Sequence, residues 1–490
     1  MKRKSLAINA FLNGFRSILN VLFPFITFPY VSRVLSVEGI GIYNFSNSVV
    51  SYFLLIAALG IDTYAVREGA KYRNNKKEIT RFASEVFTIN IYSTIIAYLL
   101  LFTCLILFAQ LRSYILCILI FSLQIFFTTI GTEWIYQIYE DYTYITVRSI
   151  IFQIISIILL FVFVRNTQDY LKYAAITVFS AVGSNILNFI HTKQYCNIHL
   201  IGKFNFKKHL TPIFILFAAN IATMIFANSD ILLLGIMKNN YIVGIYSISS
   251  KIYQIGKNLI AALLIVTIPR LAMLFGKRKI KEYNQILDKL TNTLILLTLP
   301  ASVGLFLLAK EVILIISGSN YLRSVNSLRI LSCAFIFSIL AWILSSCVLI
   351  PAKREKYMLI SSIVSAVLNI ILNIIFIPWG NEDAAAVSTV LAELCAFLVN
   401  YHYSSDLIHD IFISKNILKN VIEAIIGCSG IVIVCMLCEI EIKSLIGKTI
   451  LSIILSVIVY GVILVILHNK LAIELIELIK MRALKWIKKE

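Results

Sequence analysis

The 490-residue chain is 59% hydrophobic and only 14% charged, with a mean hydropathy of +0.88 and a net charge of +19. So few charges cannot coat a soluble core of this size. Apolar runs of about twenty residues recur from end to end, each enough to cross a ~30 Å hydrocarbon layer as a helix.

The runs lack the two-residue alternation of a barrel, and lipid offers backbone polar groups no outside partner. The expected class is therefore an all-α polytopic membrane protein with about fourteen transmembrane helices. The first span is expected at 7–31. Its start imitates a secretory leader, but Asn9, Asn13 and Arg16 interrupt the run and no small-residue cleavage site follows, so it reads as a retained helix. Asn9, Asn13, Arg16, Asn20 and Thr27 fall within about 60° of one another around that helix, a polar stripe that lipid would reject. Pro24 and Pro29 should kink it.

Span 2, at 40–61, carries a weaker stripe in Asn44, Ser48 and Ser51. Spans 3 to 6 are expected at 82–109, 113–133, 145–164 and 170–191. Span 7, at 210–236, contains Asn220, Thr223 and Asp230. Span 8, at 241–266, repeats the spacing of span 1 with Ser247, Lys251, Gln254 and Asn258, while Lys257 lies about 120° off that stripe. Spans 9 to 14 are expected at 288–309, 326–350, 357–378, 384–403, 417–438 and 445–467. Glu393 falls near the middle of span 12. The remainder, from Asn469, is apolar at helical spacing and lysine-ended, as a helix lying along the cytoplasmic membrane surface would be.

With the N-terminus inside, the inner segments hold 31 of the 44 lysines and arginines, and the outer connections hold ten. This bias is expected to set both termini in the cytoplasm. The net charge then reads as a basic inner face against anionic lipid rather than as nucleic-acid binding.

The chain also repeats itself. Gly41-Ile-Tyr-Asn-Phe-Ser-Asn47 opens span 2, and Gly244-Ile-Tyr-Ser-Ile-Ser-Ser250 opens span 8, 203 residues later. Tyr139-Glu-Asp-Tyr-Thr-Tyr-Ile-Thr resembles Lys353-Arg-Glu-Lys-Tyr-Met-Leu-Ile six spans on. The expected organisation is an N-terminal lobe (1–209), a C-terminal lobe (210–404), two further helices (405–467) and a tail (468–490). Spans 1, 2, 7 and 8 are paired by the repeat, so their polar faces can converge on a cavity. Arg16, Lys251 and Lys257 would be its cations and Asp230 a partial offset. Such a surplus suits an anionic headgroup such as a diphosphate, with Arg16 forking onto its oxygens and Lys251 acting as a point charge. Glu393 suits either a coupling proton or cation or a buried ion pair, and the sequence leaves both open.

Several chemistries lack their residues. Gly447-Lys448-Thr449 has the tail of a nucleotide-binding loop, but Ile442 stands where its first glycine belongs. The six histidines show no metal-ligand spacing, the nine cysteines lie mostly inside apolar runs, and no cofactor is expected. No outer loop is long enough to hold a glycan acceptor, so a transporter is expected rather than an enzyme.

The stretch Phe28-Pro-Tyr-Val-Ser-Arg-Val-Leu35, then Glu38-Gly-Ile-Gly-Ile-Tyr43, Ala58-Leu-Gly-Ile61 and Arg67-Glu68, resembles the N-terminal signature of the polysaccharide-transporter flippases. These belong to the multidrug/oligosaccharidyl-lipid/polysaccharide exporter superfamily. Glu133-Trp-Ile-Tyr-Gln137 with Glu140–Arg148, and Asp230-Ile-Leu-Leu-Leu-Gly235 with Val243-Gly-Ile-Tyr246, are similar to later family segments. The resemblance implies two lobes rocking around a cationic cavity. Its cargo would be an undecaprenyl-diphosphate-linked oligosaccharide bound for O-antigen, capsule or exopolysaccharide. A proton or a sodium ion as coupling partner stays open beside the membrane potential, as does a polysaccharide polymerase as protein partner. Lipid II flippases and multidrug exporters share the fold and stay open as alternatives, with a membrane glycan polymerase more remote.

Overall fold

The computed structural model describes residues 23–412, 415–474 and 477, and every regular element among them is helical. Asn9, Asn13, Arg16 and Asn20 of the expected stripe lie outside the described residues, as does most of the tail. Helix 23–34 is the described part of the first span, and Thr27 within it is buried, donating its hydroxyl to the Phe23 carbonyl at 2.9 Å.

Eleven helices among the described residues are long and apolar enough to cross a membrane. One of them, Glu355–Ile408, runs for 54 residues and contains both span 11 and span 12. Two helices meet there at a kink at Asn381 (φ 49°, ψ −127°), just after Pro378 and within the expected connection at 379–383. Proline ends one helical run by removing a donor, and a single asparagine in the left-handed region restarts the next. Counting that element twice, and adding the more polar helix Asn240–Gly276 and the partly described first span, brings the total to about fourteen.

Helix starts follow their capping residues. Ser36 accepts from the Gly39 amide at 3.0 Å ahead of Val37–Ala58, and Asn75 accepts from Lys77 and Glu78 ahead of Lys76–Leu107.

The chain divides into two compact units, Met1–Ser247 and Ile248–Glu490. In the first, the short helix Glu133–Ile138 drives Trp134, Ile135 and Tyr136 into a core with Ile61, Tyr64, Phe82 and Val86. In the second, Ile280–Leu307 and Ser324–Trp342 meet over Leu287, Leu294 and Ile339. The C-terminal pair Lys415–Glu441 and Leu445–Ile466 packs closely because Gly427 and Gly430 face Tyr460 and Ile463, where a Cβ would come within 2.6 and 2.5 Å. Its outer surface exposes Ile433, Ile440, Val457 and Ile466, an apolar face suited to lipid.

The internal repeat is visible in space. A Cβ on Gly41 would fall 1.9 Å from the Asn240 carbonyl oxygen, and one on Gly244 would fall 2.1 Å from that of Val37. Residues 37 and 240, like 41 and 244, are separated by the 203-residue offset of the repeat. The starts of Val37–Ala58 and Asn240–Gly276 thus cross as symmetry mates, at a distance only glycine permits.

Candidate functional site

Within the second unit, two expected site residues meet. The Lys257 ammonium lies 2.6 Å from Glu393 Oε1, and the Tyr253 hydroxyl donates to the same oxygen at 3.3 Å. Helix Asn240–Gly276 supplies Tyr253 and Lys257 one turn apart, and Glu393 comes from the second half of Glu355–Phe412. Glu393 is 4% exposed, and a carboxylate buried that deeply needs a cation or several donors. Lys257 also lies 5.8 Å from the centre of the Tyr253 ring, which itself packs at 5.0 Å on Phe335. Of the two roles left open for Glu393, the geometry provides the ion pair.

Lys251 stands apart. It is half-buried and makes no ion pair or hydrogen bond among the described residues. Further along the same helix Gln254 and Asn258 are exposed, and Gln254 donates to the Ser250 hydroxyl at 3.5 Å. Lys251, Gln254 and Asn258 therefore share one polar face of this helix, and such a face needs water or a polar ligand in front of it.

Within the first unit the expected polar residues turn to neighbouring backbone. Buried Ser48 donates to the Asn228 carbonyl at 3.2 Å, tying Val37–Ala58 to Phe206–Met237. Asn44 donates to the Ile40 carbonyl at 2.9 Å, and Ser51 to the Asn47 carbonyl at 2.7 Å. Buried Asp230 accepts from the Tyr246 hydroxyl at 2.5 Å.

Two polar constellations in this unit were not singled out by the sequence. His209 sits between the Tyr64 hydroxyl (2.7 Å from Nδ1) and Glu85 (2.9 Å from Nε2), and Arg81 donates to the other Glu85 oxygen at 3.0 Å. These four residues tie the start of Phe206–Met237 to Lys76–Leu107 and Ile61–Gly69. The second is an aromatic pocket around Arg148. Both assemble residues tens of positions apart, and only their clustering at span ends hinted at them. No group of three or more His, Cys, Asp or Glu among the described residues could hold a metal.

A bundle of apolar helices with a repeated half and charged groups set inside its spans defines a multi-pass membrane transporter. The sequence profile of the polysaccharide biosynthesis protein family matches residues 6–275, more than half of the chain. The chain belongs to that family. It is 24% identical over 316 residues to a protein of Escherichia coli (strain K12) described as an O-antigen transporter, covering 64% of this chain and 76% of that one. A Shigella dysenteriae protein with the same description is 23% identical over 382 residues, covering 77% and 95%. Among solved structures, the lipid II flippase MurJ in an inward closed conformation superposes with a TM-score of 0.72 at 18% identity, covering 95% of this chain and 99% of that one. An inward-facing multidrug exporter of the MATE family gives 0.60 at 13%, covering 81% and 99%. These likenesses fix the exporter fold.

Proposed function

We propose that the protein is a flippase for undecaprenyl-diphosphate-linked oligosaccharide repeat units. It would carry them from the cytoplasmic to the outer leaflet of the bacterial inner membrane, with both termini in the cytoplasm, for O-antigen, capsule or exopolysaccharide assembly. The observation that carries this reading is Lys251: a half-buried cation with no counter-ion among the described residues, on the same helical face as exposed Gln254 and Asn258. A lone ammonium in a membrane helix is costly unless water or an anion faces it, and a diphosphate supplies that anion. Asn9, Asn13, Arg16 and Asn20 extend the same cationic, polar chemistry to the first span, with Asn44 and Ser48 beside them in sequence order.

In this reading Lys257 exchanges partners. Without cargo it rests on Glu393 at 2.6 Å; with cargo it turns to the phosphate, and Glu393 takes up a proton or a cation in compensation. Asp230, held by Tyr246, is the second cavity acid. Lobes 1–209 and 210–404 rock about the cavity, and the glycine crossing of Gly41 and Gly244 is the closure that parts when the far side opens. Spans 13–14 (405–467) and the tail (468–490) are additions outside that cycle, and a polysaccharide polymerase would receive the product.

A lipid II flippase is the second reading. A 184-residue stretch is 24% identical to the lipid II flippase MurJ of Bacillus subtilis (strain 168), and the diphosphate site would serve either cargo. Deletion of the gene in its native host, lacking any redundant flippase, separates the two. Loss of surface polysaccharide with normal peptidoglycan is expected; unaltered surface polysaccharide would overturn the proposal.

A further inference from the structure

Helix Phe206–Met237 has an exposed face at mid-span that lipid does not account for. Among its described side chains from 218 to 227, the exposed ones are Ala218, Asn220, Thr223 and Ala227, and no large apolar residue is exposed there. Asn220, Thr223 and Ala227 fall within about 60° of one another around the helix. A lipid-facing helix looks different: Tyr142–Phe163 exposes Val147, Ile151, Ile154 and Ile158. Small and polar residues at mid-span instead make a wall toward water or a polar ligand. The Asn220 side chain makes no hydrogen bond among the described residues.

Tyr52, on the neighbouring helix Val37–Ala58, stands at the same depth. The two helices run antiparallel: Ser48 donates to the Asn228 carbonyl at 3.2 Å, and a Cβ on Gly60 would fall 3.0 Å from the Leu216 Cβ. That register sets Tyr52 level with Met224, within a turn of Thr223 and Asn220. Tyr52 is half-buried, its hydroxyl bonds no described residue, and Asp230 lies within electrostatic range of it. The 203-residue repeat places Ser48 and Ser51 opposite Lys251 and Gln254, so the cation of the second unit has no counterpart here. A ring, an amide and a nearby carboxylate, with no cation among them, suit hydroxyl groups rather than phosphate.

We propose, on the flippase reading above, that Tyr52 and Asn220 bind the glycan part of the cargo. The Tyr52 ring lies against the apolar C–H face of a pyranose, and its hydroxyl meets a sugar oxygen. The Asn220 amide, donor and acceptor at once, pairs with neighbouring sugar hydroxyls. Exposed Thr223 and Ala227 are small enough to let a sugar ring approach the helix. The negative charge of nearby Asp230 disfavours an acidic sugar at this point, so the sugar bound here is an uncharged one.

The test is native mass spectrometry of the full-length protein, stripped of lipid in detergent and titrated with two probes. One is undecaprenyl diphosphate carrying the host's own repeat unit, and the other is undecaprenyl diphosphate without sugar. The wild type should hold the glycan-bearing probe about tenfold more tightly, the value of one or two neutral hydrogen bonds. Tyr52→Ala and Asn220→Ala should each cut that preference by about threefold or more and leave the sugar-free probe unaffected. Tyr52→Phe should keep most of the preference, and Lys251→Ala should weaken both probes alike. Equal retention of the two probes by the wild type, or an unchanged preference in either alanine variant, would overturn the sugar site while leaving the diphosphate reading in place. Retention of neither probe would overturn both. Asn220→Ala, at an exposed position, keeps the test decisive even where Tyr52→Ala folds poorly.

Discussion

Lys257 and Glu393, 136 residues apart in sequence, share a single close contact of 2.6 Å inside the second unit, with the Tyr253 hydroxyl on the same carboxylate oxygen. The pair satisfies two charges that would otherwise be stranded in apolar surroundings, and it is also the contact a competing anion would break. Glu393→Ala should therefore destabilise the protein by about 2–3 kcal/mol, less than a fully enclosed pair because the Lys257 side chain keeps 23% of its surface exposed. Thermal unfolding in detergent measures this. The double variant Lys257→Met with Glu393→Met should recover most of the loss, since no unpaired charge remains.

Lys251 is the contrasting cation. It contributes no ion pair among the described residues, so Lys251→Ala should leave the melting temperature within a degree or two of wild type while reducing surface polysaccharide strongly. Lys251→Arg should retain part of the export. Quantifying polysaccharide alongside the amount of protein in the membrane fraction checks both variants.

The glycine crossing makes a third expectation. With 1.9 and 2.1 Å available to a Cβ, Gly41→Ala and Gly244→Ala must each push two helix starts apart, and both should lower stability and export. Gly304 lies in the helix Ile280–Leu307 with nothing within 4 Å of a Cβ, so Gly304→Ala should instead stabilise by ~0.5–1 kcal/mol through the unfolded chain. Parallel melting curves of the three variants separate packing from helix propensity.

Outside the spans, Asp169 gives a pH dependence. A hydrogen bond from Lys172, then the Arg165 and Asn166 amides at 2.9 Å each, hold its carboxyl down at about 2. A carboxylate depressed in the folded state stabilises it above the ordinary value near 4, and this contribution fades as pH falls from about 4 toward 2. Asp169→Asn should therefore lower stability at neutral pH and make no difference at the acid end of that window. Melting temperatures of wild type and variant at pH 7 and in that window give the comparison.

Much of this architecture is legible in the sequence, because lipid imposes one solution on every span: apolar, helical and about twenty residues long. The repeat was readable for a related reason, since Gly41 and Gly244 are fixed by a close approach that admits no other residue. What escaped depends on contacts between distant residues. The run from Glu355 to Phe412 reads as two spans, and two helices meet there at a kink at Asn381, but nothing in the segment shows how short their connection is. Lys257 and Glu393 were each visible as charges in apolar runs, yet nothing in either segment names the other. His209 and Arg148 were hidden among the basic residues at span ends, where most charges are simply solvated.

The account turns on cargo phosphate meeting cationic side chains inside the protein. Its most direct measurement is flipping of a fluorescent undecaprenyl-diphosphate oligosaccharide by purified protein in proteoliposomes, read as the rate at which labelled lipid becomes accessible to an external quencher. Wild-type protein should accelerate transfer well above protein-free vesicles, and Lys251→Ala should slow it by about tenfold, the value of one lost charge-assisted contact. Transfer by Lys251→Ala at the wild-type rate, or a wild type no faster than bare vesicles, would contradict it.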